Sequence, residues 1–487
     1  MRNKTPRAIS LQILNQAEEV DRPLDPFDGA KPPFSRRGRK APLRVNPEQA
    51  PAFMPGSRRV DILLTDSFKR YRHLTSLDRA FLTELTYGTL RWRGRLDWVI
   101  RHFSRIPVEK IEREILNVLR LGLYQIFFLS KTPSPAAVHE SVELAKRLRG
   151  RGGAGFVNAI LRSVLRQKEA IPFPDPAEDP AVHLSVMESH PLWLIRRWIG
   201  EMGIEETRRA CVANNEIAPL TLRTNTLKID REHLIERLTR QGLKPFPTSF
   251  SGEGILLRDP PPTSELPFLK EGLYLIQDEA SQLITPIVDS KPGERILDAC
   301  AGPGGKTTHM AQKMENRGEI YALDLRKRKL DLIEEICFRL GVKMVKGIRG
   351  DATRPLPIPE GPRFDRILAD VPCSGFGTLR RNPDLRWRKR EADVRRLSGL
   401  QSSILRNVSG YLKIGGILVY STCTVFHEEN EEMVEDFLKG HPDFRLDAIE
   451  EILPVRYHPF IRDGYFKTFP PREGMDGFFA ARLVRKG

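Results

Sequence analysis

The sequence has few cysteines and no long apolar run. Its five cysteines are scattered without a C-x-x-C pair, at Cys211, Cys300, Cys337, Cys373 and Cys423. This odd, dispersed set argues against a disulfide framework and against a zinc site, and reduced thiols are typical of the cytoplasm. No apolar segment approaches the ~18 residues of a membrane-spanning helix, and the N-terminus lacks the apolar core of a signal peptide. We therefore expect a cytoplasmic protein with no metal ion and no membrane partner.

Acidic residues are also scarce relative to basic ones. Lys and Arg number 79 against 63 Asp and Glu, which gives a formal net charge of +16 and a pI near 9.7. Such an excess predicts a polyanionic partner, most commonly a nucleic acid. A basic surface that only keeps the protein in solution is the alternative.

The first third of the chain has the apolar spacing of helices. The 487 residues predict two or three domains on a prior of about 150 residues each. Helical periodicity runs over residues 5–19 and 60–166. Between them, residues 21–59 hold eight prolines and repeated arginines, which favours a solvated insertion or disordered loop over a basic RNA-contacting arm. Basic residues also concentrate in RWRGR at 91–95 and KRLRGRGG at 146–153, and the second cluster suggests phosphate contacts.

A smaller module follows a proline-rich linker at residues 172–176. Residues 220–225 alternate like a strand, and residues 231–241 have the pattern of an amphipathic helix. We expect a small α+β unit here. Arg223 and Asn225 either touch RNA or belong to a spacer.

A glycine-rich stretch, DACAGPGGKT at 298–307, lies between a short apolar strand and the start of a helix. That arrangement makes a backbone cradle for a ligand with negative or polar groups. A phosphate-binding P-loop would need glycine where Cys300 stands, and a dinucleotide fingerprint would need a small residue where Thr307 stands. Asp324, twenty residues after Gly304, ends the next strand, where a carboxylate can bind a ribose diol. A tight turn without a ligand is the structural alternative.

The rest of the chain alternates strands and helices, which predicts a doubly wound parallel sheet with ligands at the carboxyl ends of its strands. Six polar or reactive residues fall at such ends: Asp298, Asp324, Asp351, Asp370, Cys373 and Cys423. Their clustering predicts a functional site at one edge of the sheet. The loop RRNPDLRWR at 380–388 is expected to supply positive charge and an aromatic face beside it.

Two thiols at strand ends suit methylation of a pyrimidine carbon. Cytosine carbon 5 is a poor nucleophile, but a thiolate added at carbon 6 makes an enamine that can accept a methyl group. An acid that protonates or hydrogen-bonds ring nitrogen 3 assists the addition. The residues alone leave open whether Cys373 or Cys423 is the nucleophile. The structural alternative is that both cysteines are buried and chemically inert.

Three motifs resemble those of RNA 5-methylcytosine methyltransferases: DACAGPGGKT at 298–307, DVPCSG at 370–375 and TCT at 422–424. The helical N-terminal part of the chain is similar to the RNA-binding domain of NusB. The similarity lies in DRAFL at 78–82, LGLYQ at 121–125 and FVNAILR at 156–162. Together these parts resemble the RsmB/Sun family of 16S rRNA (cytosine-C5) methyltransferases. The resemblance implies a multidomain protein with an all-α NusB-like domain (1–170, with the insertion at 21–59), an α+β connecting module (188–275) and an α/β Rossmann-like class I methyltransferase domain (276–487).

The family also implies roles for particular residues. Cys423 would be the nucleophile, Cys373 would assist release of the methylated product, and Asp370 would face the cytosine ring. S-adenosylmethionine would bind the residues Cys300, Ala301, Gly302, Pro303, Gly304, Gly305, Lys306, Asp324, Asp351 and Asp370.

The expected partner is RNA, chiefly 16S rRNA, free or in an early assembly intermediate, and the protein is expected to be a monomer. The nearest alternative is the same chemistry on another rRNA or a tRNA. An alternative of a different class is a non-catalytic RNA-binding or antitermination factor, for which the helical N-terminal domain alone would suffice. A dinucleotide oxidoreductase would need a glycine pattern that this chain lacks.

Overall fold

The computed structural model describes residues 4–18, 60–358 and 364–487. The proline-rich insertion predicted at 21–59 lies outside the described residues. The chain divides into two compact units, one of residues 1–215 with 382–388 and the other of residues 216–381 with 389–487.

The first unit is helical, as its periodicity predicts. Its helices before residue 216 are α1 (Pro6–Ala17), α2 (Val60–Arg70), α3 (Ser76–Arg91), α4 (Arg93–Phe103), α5 (Arg113–Phe128), α6 (Ser134–Arg166), α7 (Pro180–Met187) and α8 (Leu192–Asn215). Thr75 begins α3 with a capping box, in which its side chain accepts from the Asp78 N–H. α5 is the most buried helix of the core, and α6 bends at Gly150, where φ is +63°.

Part of the positive charge predicted for RNA contact is used inside this unit. Arg120 is buried, and its guanidinium contacts Asp97 at 2.6 Å and Glu18 at 2.9 Å. Arg93, from the first basic cluster, contacts Glu18 at 3.1 Å. Because buried charges need partners, these arginines have a structural role in the helical core.

The second unit contains the smaller module and the strand–helix alternation. Its elements, with the short helix α13 that groups with the first unit, are β1 (Leu220–Thr224), α9 (Arg231–Arg240), β2 (Lys244–Pro247), β3 (Gly254–Arg258), β4 (Tyr274–Ile276), α10 (Glu279–Val288), β5 (Arg295–Asp298), α11 (Gly305–Lys313), β6 (Glu319–Asp324), α12 (Lys327–Leu340), β7 (Val345–Arg349), β8 (Phe364–Asp370), α13 (Leu385–Arg388), α14 (Glu391–Ser409), β9 (Leu412–Thr422), α15 (Glu431–Gly440), β10 (Phe444–Leu446), α16 (Ile449–Ile452), β11 (Ile461–Arg462), β12 (Tyr465–Lys467), α17 (Pro470–Glu473) and β13 (Phe479–Arg485).

The smaller module is an antiparallel four-stranded sheet in the order β2-β3-β1-β4, packed with α9. Arg223 and Asn225 are both 1% exposed. Arg223 donates to the Gln277 amide and the Gly305 carbonyl, while Asn225 donates to the Leu340 carbonyl at 2.8 Å. The RNA-contact alternative for these two residues is therefore wrong, since their polar atoms are used within the protein.

The larger sheet is mixed, which corrects the prediction of a parallel sheet. Five strands in the order β9-β8-β5-β6-β7 are parallel, but β13 runs antiparallel beside β9, and β10, β11 and β12 extend that edge. β11 and β12 are joined by Asp463 and Gly464, both at positive φ. A two-residue turn of that kind joins only antiparallel neighbours.

Helices cover both faces of the parallel strands, as expected for a doubly wound sheet. Ile296 of β5 packs in a core with α10, α11 and α12. Its neighbour Leu297 packs in a second core with α14 and α15. Because successive strand residues point to opposite faces, the sheet is buried on both sides, and its ligand-accessible part is the carboxyl edge.

Candidate active site

The strand ends divide the edge of the sheet into two neighbouring halves. The strand order places Asp298 and Asp324 at the ends of β5 and β6 on one side, with Asp351 two residues beyond the end of β7. Asp370 ends β8, and Cys423 directly follows β9, on the other side. The strand order thus separates the residues predicted for the cofactor from those predicted for the base, and Asp370 lies between them.

The glycine-rich turn connects β5 to α11 and approaches the end of β6. The Gly302 N–H donates to Asp324 Oδ2 at 3.1 Å, and the Arg326 N–H donates to Oδ1 of the same carboxylate at 2.9 Å. A Cβ at Gly302 would lie 2.7 Å from Asp324 Oδ2. Gly304 has φ +103° and begins α11, and a Cβ there would lie 3.0 Å from Ile333. The turn therefore depends on glycine for both backbone shape and close approach.

The acids on this side provide acceptors around a backbone cradle, which fits the hydroxyl and amino donors of S-adenosylmethionine. Asp351 Oδ1 accepts from the Thr353 N–H at 2.9 Å and hydroxyl at 2.7 Å. These backbone and side-chain hydrogen bonds lower the pKa of Asp351, so its half-exposed carboxylate stays an acceptor. Burial raises the pKa of Cys300, which keeps this thiol neutral beside the acids.

Lys306 extends toward the other half of the site. Its ammonium contacts Asp370 Oδ2 at 2.6 Å and lies 5.0 Å from the centre of the Phe478 ring. Asp370 Oδ1 accepts from the Ser421 hydroxyl at 2.8 Å. The sequence analysis did not single out Ser421, although its place two residues before Cys423, on the strand next to Asp370, was a usable signal.

Cys373 and Cys423 are brought together although 50 residues separate them. Their sulfur atoms lie 3.2 Å apart, and the Cys423 N–H lies 3.3 Å from Cys373 Sγ. Both residues are half-buried. The hydrogen bond to Cys423, together with burial, holds the pKa of Cys373 well above its ordinary value. Cys373 is therefore a thiol that can donate its proton to the sulfur of Cys423.

The backbone around the thiols is held by close packing of loops. The Gly377 N–H donates to the Cys423 carbonyl at 3.0 Å, and the Gly477 N–H donates to the Gly377 carbonyl at 2.8 Å. A Cβ at Gly377 would lie 2.0 Å from the Gly477 carbonyl oxygen, so only glycine fits here. Lone glycines far apart in sequence carry no signal of such a contact.

The first arginines of the loop after Cys373 are paired within the second unit. Arg380 Nε contacts Asp476 Oδ1 at 2.6 Å. Arg381 contacts Asp476 at 2.8 Å and Asp278 at 2.5 Å. These ion pairs join the loop to the segment before β13 and to the start of α10, so this charge has a structural use.

The aromatic face predicted for the same loop is wrong. Trp387 is 7% exposed, and its indole N–H donates to the Leu90 carbonyl at 2.6 Å. Arg386 is fully buried, donates to the Ser189 carbonyl at 3.0 Å, and has its pKa lowered to about 9 by burial. Residues 382–388 group with the first unit. Tertiary packing thus removes both side chains from the surface that the sequence suggested.

Within residues 4–18, 60–358 and 364–487, no three His, Cys, Asp or Glu side chains are grouped as metal ligands. Over the same residues, no helix combines the length and apolarity needed to cross a membrane.

Comparison with known families matches three parts of the chain. Residues 285–484 match the family described as 16S rRNA methyltransferase RsmB/F. Residues 57–166 match the NusB family, and residues 190–264 match the ferredoxin-like domain of RsmF/B-like methyltransferases. The predicted succession of a NusB-like helical domain, an α+β module and a Rossmann-like methyltransferase domain is confirmed.

Individual relatives extend over most of the chain. The probable ribosomal RNA small subunit methyltransferase B of Bacillus subtilis (strain 168) is 40% identical over 426 residues, which cover 87% of this chain and 94% of that protein. The crystal structure of PH0851 has a TM-score of 0.76 at 28% identity and covers 88% of this chain and 94% of its own. The structure of NSun6 from Pyrococcus horikoshii with SFG, an S-adenosylmethionine analogue, has a TM-score of 0.54 at 25% identity and covers 60% and 97%.

Proposed function

The chain belongs to the 16S rRNA methyltransferase RsmB/F family, a family of S-adenosylmethionine-dependent enzymes, and we propose that it methylates cytosine carbon 5 in 16S rRNA through a covalent cysteine–RNA intermediate. The observation that carries this proposal is the pair of half-buried thiols, with sulfurs 3.2 Å apart, at the strand ends that also bear Asp370. A single-step transfer to a nitrogen or oxygen would need no such pair.

Cys423 is the nucleophile in this proposal. A thiolate is needed to add to cytosine carbon 6, and the two sulfurs are not equivalent. The raised pKa of Cys373 keeps its proton in place, so its S–H stabilises a thiolate on Cys423 by donating to it. After the methyl group is on carbon 5, a base, which water can provide, takes the carbon 5 proton. The electron pair of that C–H bond re-forms the carbon 5–carbon 6 double bond, and the carbon–sulfur bond breaks to release Cys423 as a thiolate. The Cys373 thiol then donates to the departing thiolate and so assists release.

Asp370 and Lys306 face the ring of the target base. Addition of the thiolate places negative charge on the pyrimidine, and protonation or hydrogen bonding at ring nitrogen 3 offsets that charge. The Lys306 ammonium, 2.6 Å from the Asp370 carboxylate, makes a transferable proton available at this position. Ser421 donates to the other oxygen of Asp370 and orients the carboxylate.

Residues 300–306 with Asp324, Asp351 and Asp370 bind S-adenosylmethionine. Bound there, it supplies an electrophilic methyl group. The Gly302 and Gly304 positions allow close backbone approach, and the acids accept from hydroxyl and amino groups. Asp370 ends β8, next to β9 and β5 in the sheet, so one residue serves both halves of the site.

The substrate is RNA in which the target cytosine is unpaired or turned out of its helix, because neither face of a stacked base is open to attack. The protein acts as a monomer on free 16S rRNA or on an early assembly intermediate. The net charge of +16 supports binding to this polyanion.

The test is methyl transfer from labelled S-adenosylmethionine to free 16S rRNA, with the modified position mapped. Tritium release from cytosine labelled at carbon 5 identifies the reacting atom. Label on one 16S cytosine supports the proposal. Label only on tRNA or large-subunit rRNA would show that the substrate is that RNA and not 16S rRNA. Label at a ring nitrogen or ribose would refute carbon 5 chemistry.

We expect Cys423→Ala to abolish methylation while S-adenosylmethionine binding stays within about twofold of wild type, because the thiol acts on the base. Isothermal titration measures the binding. Cys337→Ala, which removes a buried thiol of α12, is the matched control and should retain turnover. Normal turnover in Cys423→Ala would exclude it as the nucleophile.

We expect Cys373→Ala to accumulate a covalent RNA–protein adduct, because the departing thiolate loses its hydrogen-bond donor. The adduct is a band of reduced mobility on a denaturing gel and should be absent in the double variant that also carries Cys423→Ala. Unchanged turnover without an adduct would exclude the release role.

A further inference from the structure

A buried carboxylate that this mechanism does not use lies behind the two thiols. Glu429 follows β9 in a short 3-10 helix, His427–Glu429, and its relative exposure is 0%. An acidic side chain is almost never fully buried unless its charge is compensated. Its partners therefore indicate what it does.

Donors from both cysteine loops and from α14 surround the Glu429 carboxylate. Oε1 accepts from the Ser374 N–H at 2.8 Å and from the Gln401 amide at 2.9 Å. Oε2 accepts from the Ser374 hydroxyl at 2.5 Å. Backbone and amide N–H groups can only donate, so Oε1 acts as an acceptor for both, and the Ser374 hydroxyl supplies the donor to Oε2. Burial raises the pKa of Glu429, and these donors oppose the rise.

These contacts join the two cysteine loops. Ser374 directly follows Cys373, Thr424 directly follows Cys423, and their hydroxyl oxygens lie 2.7 Å apart. Gln401 of α14 also donates to the Pro372 carbonyl at 3.0 Å, on the other side of Cys373. One carboxylate therefore holds both loops at the residues next to the sulfurs.

The negative charge also bears on which thiol ionises. The hydrogen bond to Cys423, burial and the charge of Cys423 are, in that order, the largest causes that raise the pKa of Cys373. The charge of Glu429 raises this pKa further. Tyr420 keeps its proton, since burial, with the charge of Glu429 adding to it, raises its pKa. Lys389 is a cation that interacts with both Cys373 and Glu429, and burial lowers its pKa.

We propose that Glu429 is a positioning residue, whose buried carboxylate holds the two cysteine loops together and keeps the proton of the thiol pair on Cys373, leaving the negative charge on Cys423. This inference rests on the proposed roles of the two cysteines and extends them. Glu429 itself touches neither the base nor the cofactor.

The test compares alkylation of the two thiols by iodoacetamide, followed at each cysteine by peptide mass spectrometry. Only thiolates react appreciably, so the ratio of rates reports the distribution of charge. In the wild-type protein, Cys423 should react faster than Cys373. Glu429→Gln keeps the shape and removes the charge, and should shift the ratio toward Cys373 by about threefold or more. Glu429→Asp keeps the charge and should stay near the wild-type ratio.

Glu432→Gln, an exposed change three residues further on, is the matched control and should leave the ratio unchanged. Methylation by Glu429→Gln should show a kcat about tenfold lower, with unchanged KM for RNA and S-adenosylmethionine. An unchanged ratio in Glu429→Gln, or equal shifts in the Gln and Asp variants, would overturn the proposal.

A further measurement needs no substitution. In the wild-type protein, alkylation of Cys373 should stay slow until the pH is well above the ordinary range of a thiol pKa, and rapid alkylation of Cys373 near neutral pH would overturn the inference even if Glu429→Gln failed to fold. The alkylation ratio requires no methyl transfer. Failure of the cytosine-C5 proposal in the labelling assay is thus distinguishable from failure of the role of Glu429.

Discussion

At the scale of single residues, Asp298 shows how burial changes the chemistry of a carboxyl group. Its side chain is 1% exposed, and Oδ2 accepts from the Thr307 hydroxyl at 2.7 Å. Burial raises the pKa of Asp298 to about 7, and the nearby Asp370 adds to the rise. The sequence grouped Asp298 with the other acids at strand ends. Its burial and its bond to α11 instead make it a brace of the glycine-rich turn.

We expect Asp298→Asn to remove a pH-dependent cost in stability. An acid whose pKa is raised on folding binds more protons in the native state, so the free energy of unfolding falls as pH rises from about 4 to about 7. Asparagine keeps the acceptor for Thr307 without this penalty. The melting temperature of the variant should exceed that of wild type by on the order of 5–10 °C at pH 8, and the difference should vanish near pH 4.

Differential scanning calorimetry across this pH range checks the prediction. Asp436→Asn, on the exposed face of α15, is the control and should show a constant difference from wild type. If the difference in melting temperature between Asp298→Asn and wild type were also constant across this pH range, Asp298 would be ionised throughout it.

At the scale of elements, the start of α11 depends on one glycine. Gly304 has φ +103° and faces Ile333 of α12. An L residue in this region costs about 1–2 kcal/mol, and its Cβ would press on Ile333. The turn would relieve that strain by moving the backbone that forms the cofactor cradle.

We therefore expect Gly304→Ala to weaken S-adenosylmethionine binding by about tenfold or more, measured by isothermal titration, while the protein remains folded. Gly399→Ala is the matched control, because Gly399 lies within α14 and a Cβ there would meet no atom within 4 Å. It should bind the cofactor as wild type does. Equal affinity of both variants would contradict the cradle assignment.

The combination of parallel and antiparallel strands in the larger sheet also depends on whole elements. The alternation of strands and helices predicted the parallel strands, because each apolar run is bounded by its own turn residues. The four added strands are short, at two to seven residues, and lie at one edge. Asp463–Gly464 is a hairpin dipeptide that the sequence contains, and it is the one local signal for this antiparallel extension.

At the scale of the whole molecule, the excess of positive charge is divided between structural and exposed residues. Arg120, Arg223 and Arg386 are buried. In the 146–153 cluster, Arg149 pairs with Glu112 and Glu114, while Arg147 and Arg151 are exposed on α6. The net charge thus overstates the charge available to a polyanion.

We expect RNA affinity to fall with salt along a straight line of log Kd against log salt concentration. The double variant Arg147→Ala with Arg151→Ala should reduce the slope by about 2, since each phosphate contact contributes about 1. Filter binding at several salt concentrations measures the slope. Arg240→Ala with Lys439→Ala, two exposed changes elsewhere, should leave the slope closer to wild type. Equal slopes for the two double variants would exclude residues 146–153 as the phosphate contact.

The sequence by itself determined the features that depend on neighbouring residues. Helical spacing predicted the first unit, the glycine-rich turn and Asp324 predicted a nucleotide-like cradle, and the motifs around Cys373 and Cys423 carried the family resemblance. These signals are local, because periodicity, turn chemistry and strand ends are set within about ten residues.

Only the tertiary structure decided which polar groups are available for chemistry. It placed two sulfurs 3.2 Å apart across 50 residues and placed Glu429 behind them. It also paired Lys306 with Asp370 and buried Trp387, whose indole donates to a carbonyl 297 residues away in the chain. Burial and pairing depend on residues far apart in the sequence, and they determine the cost of a charge and the position of a proton.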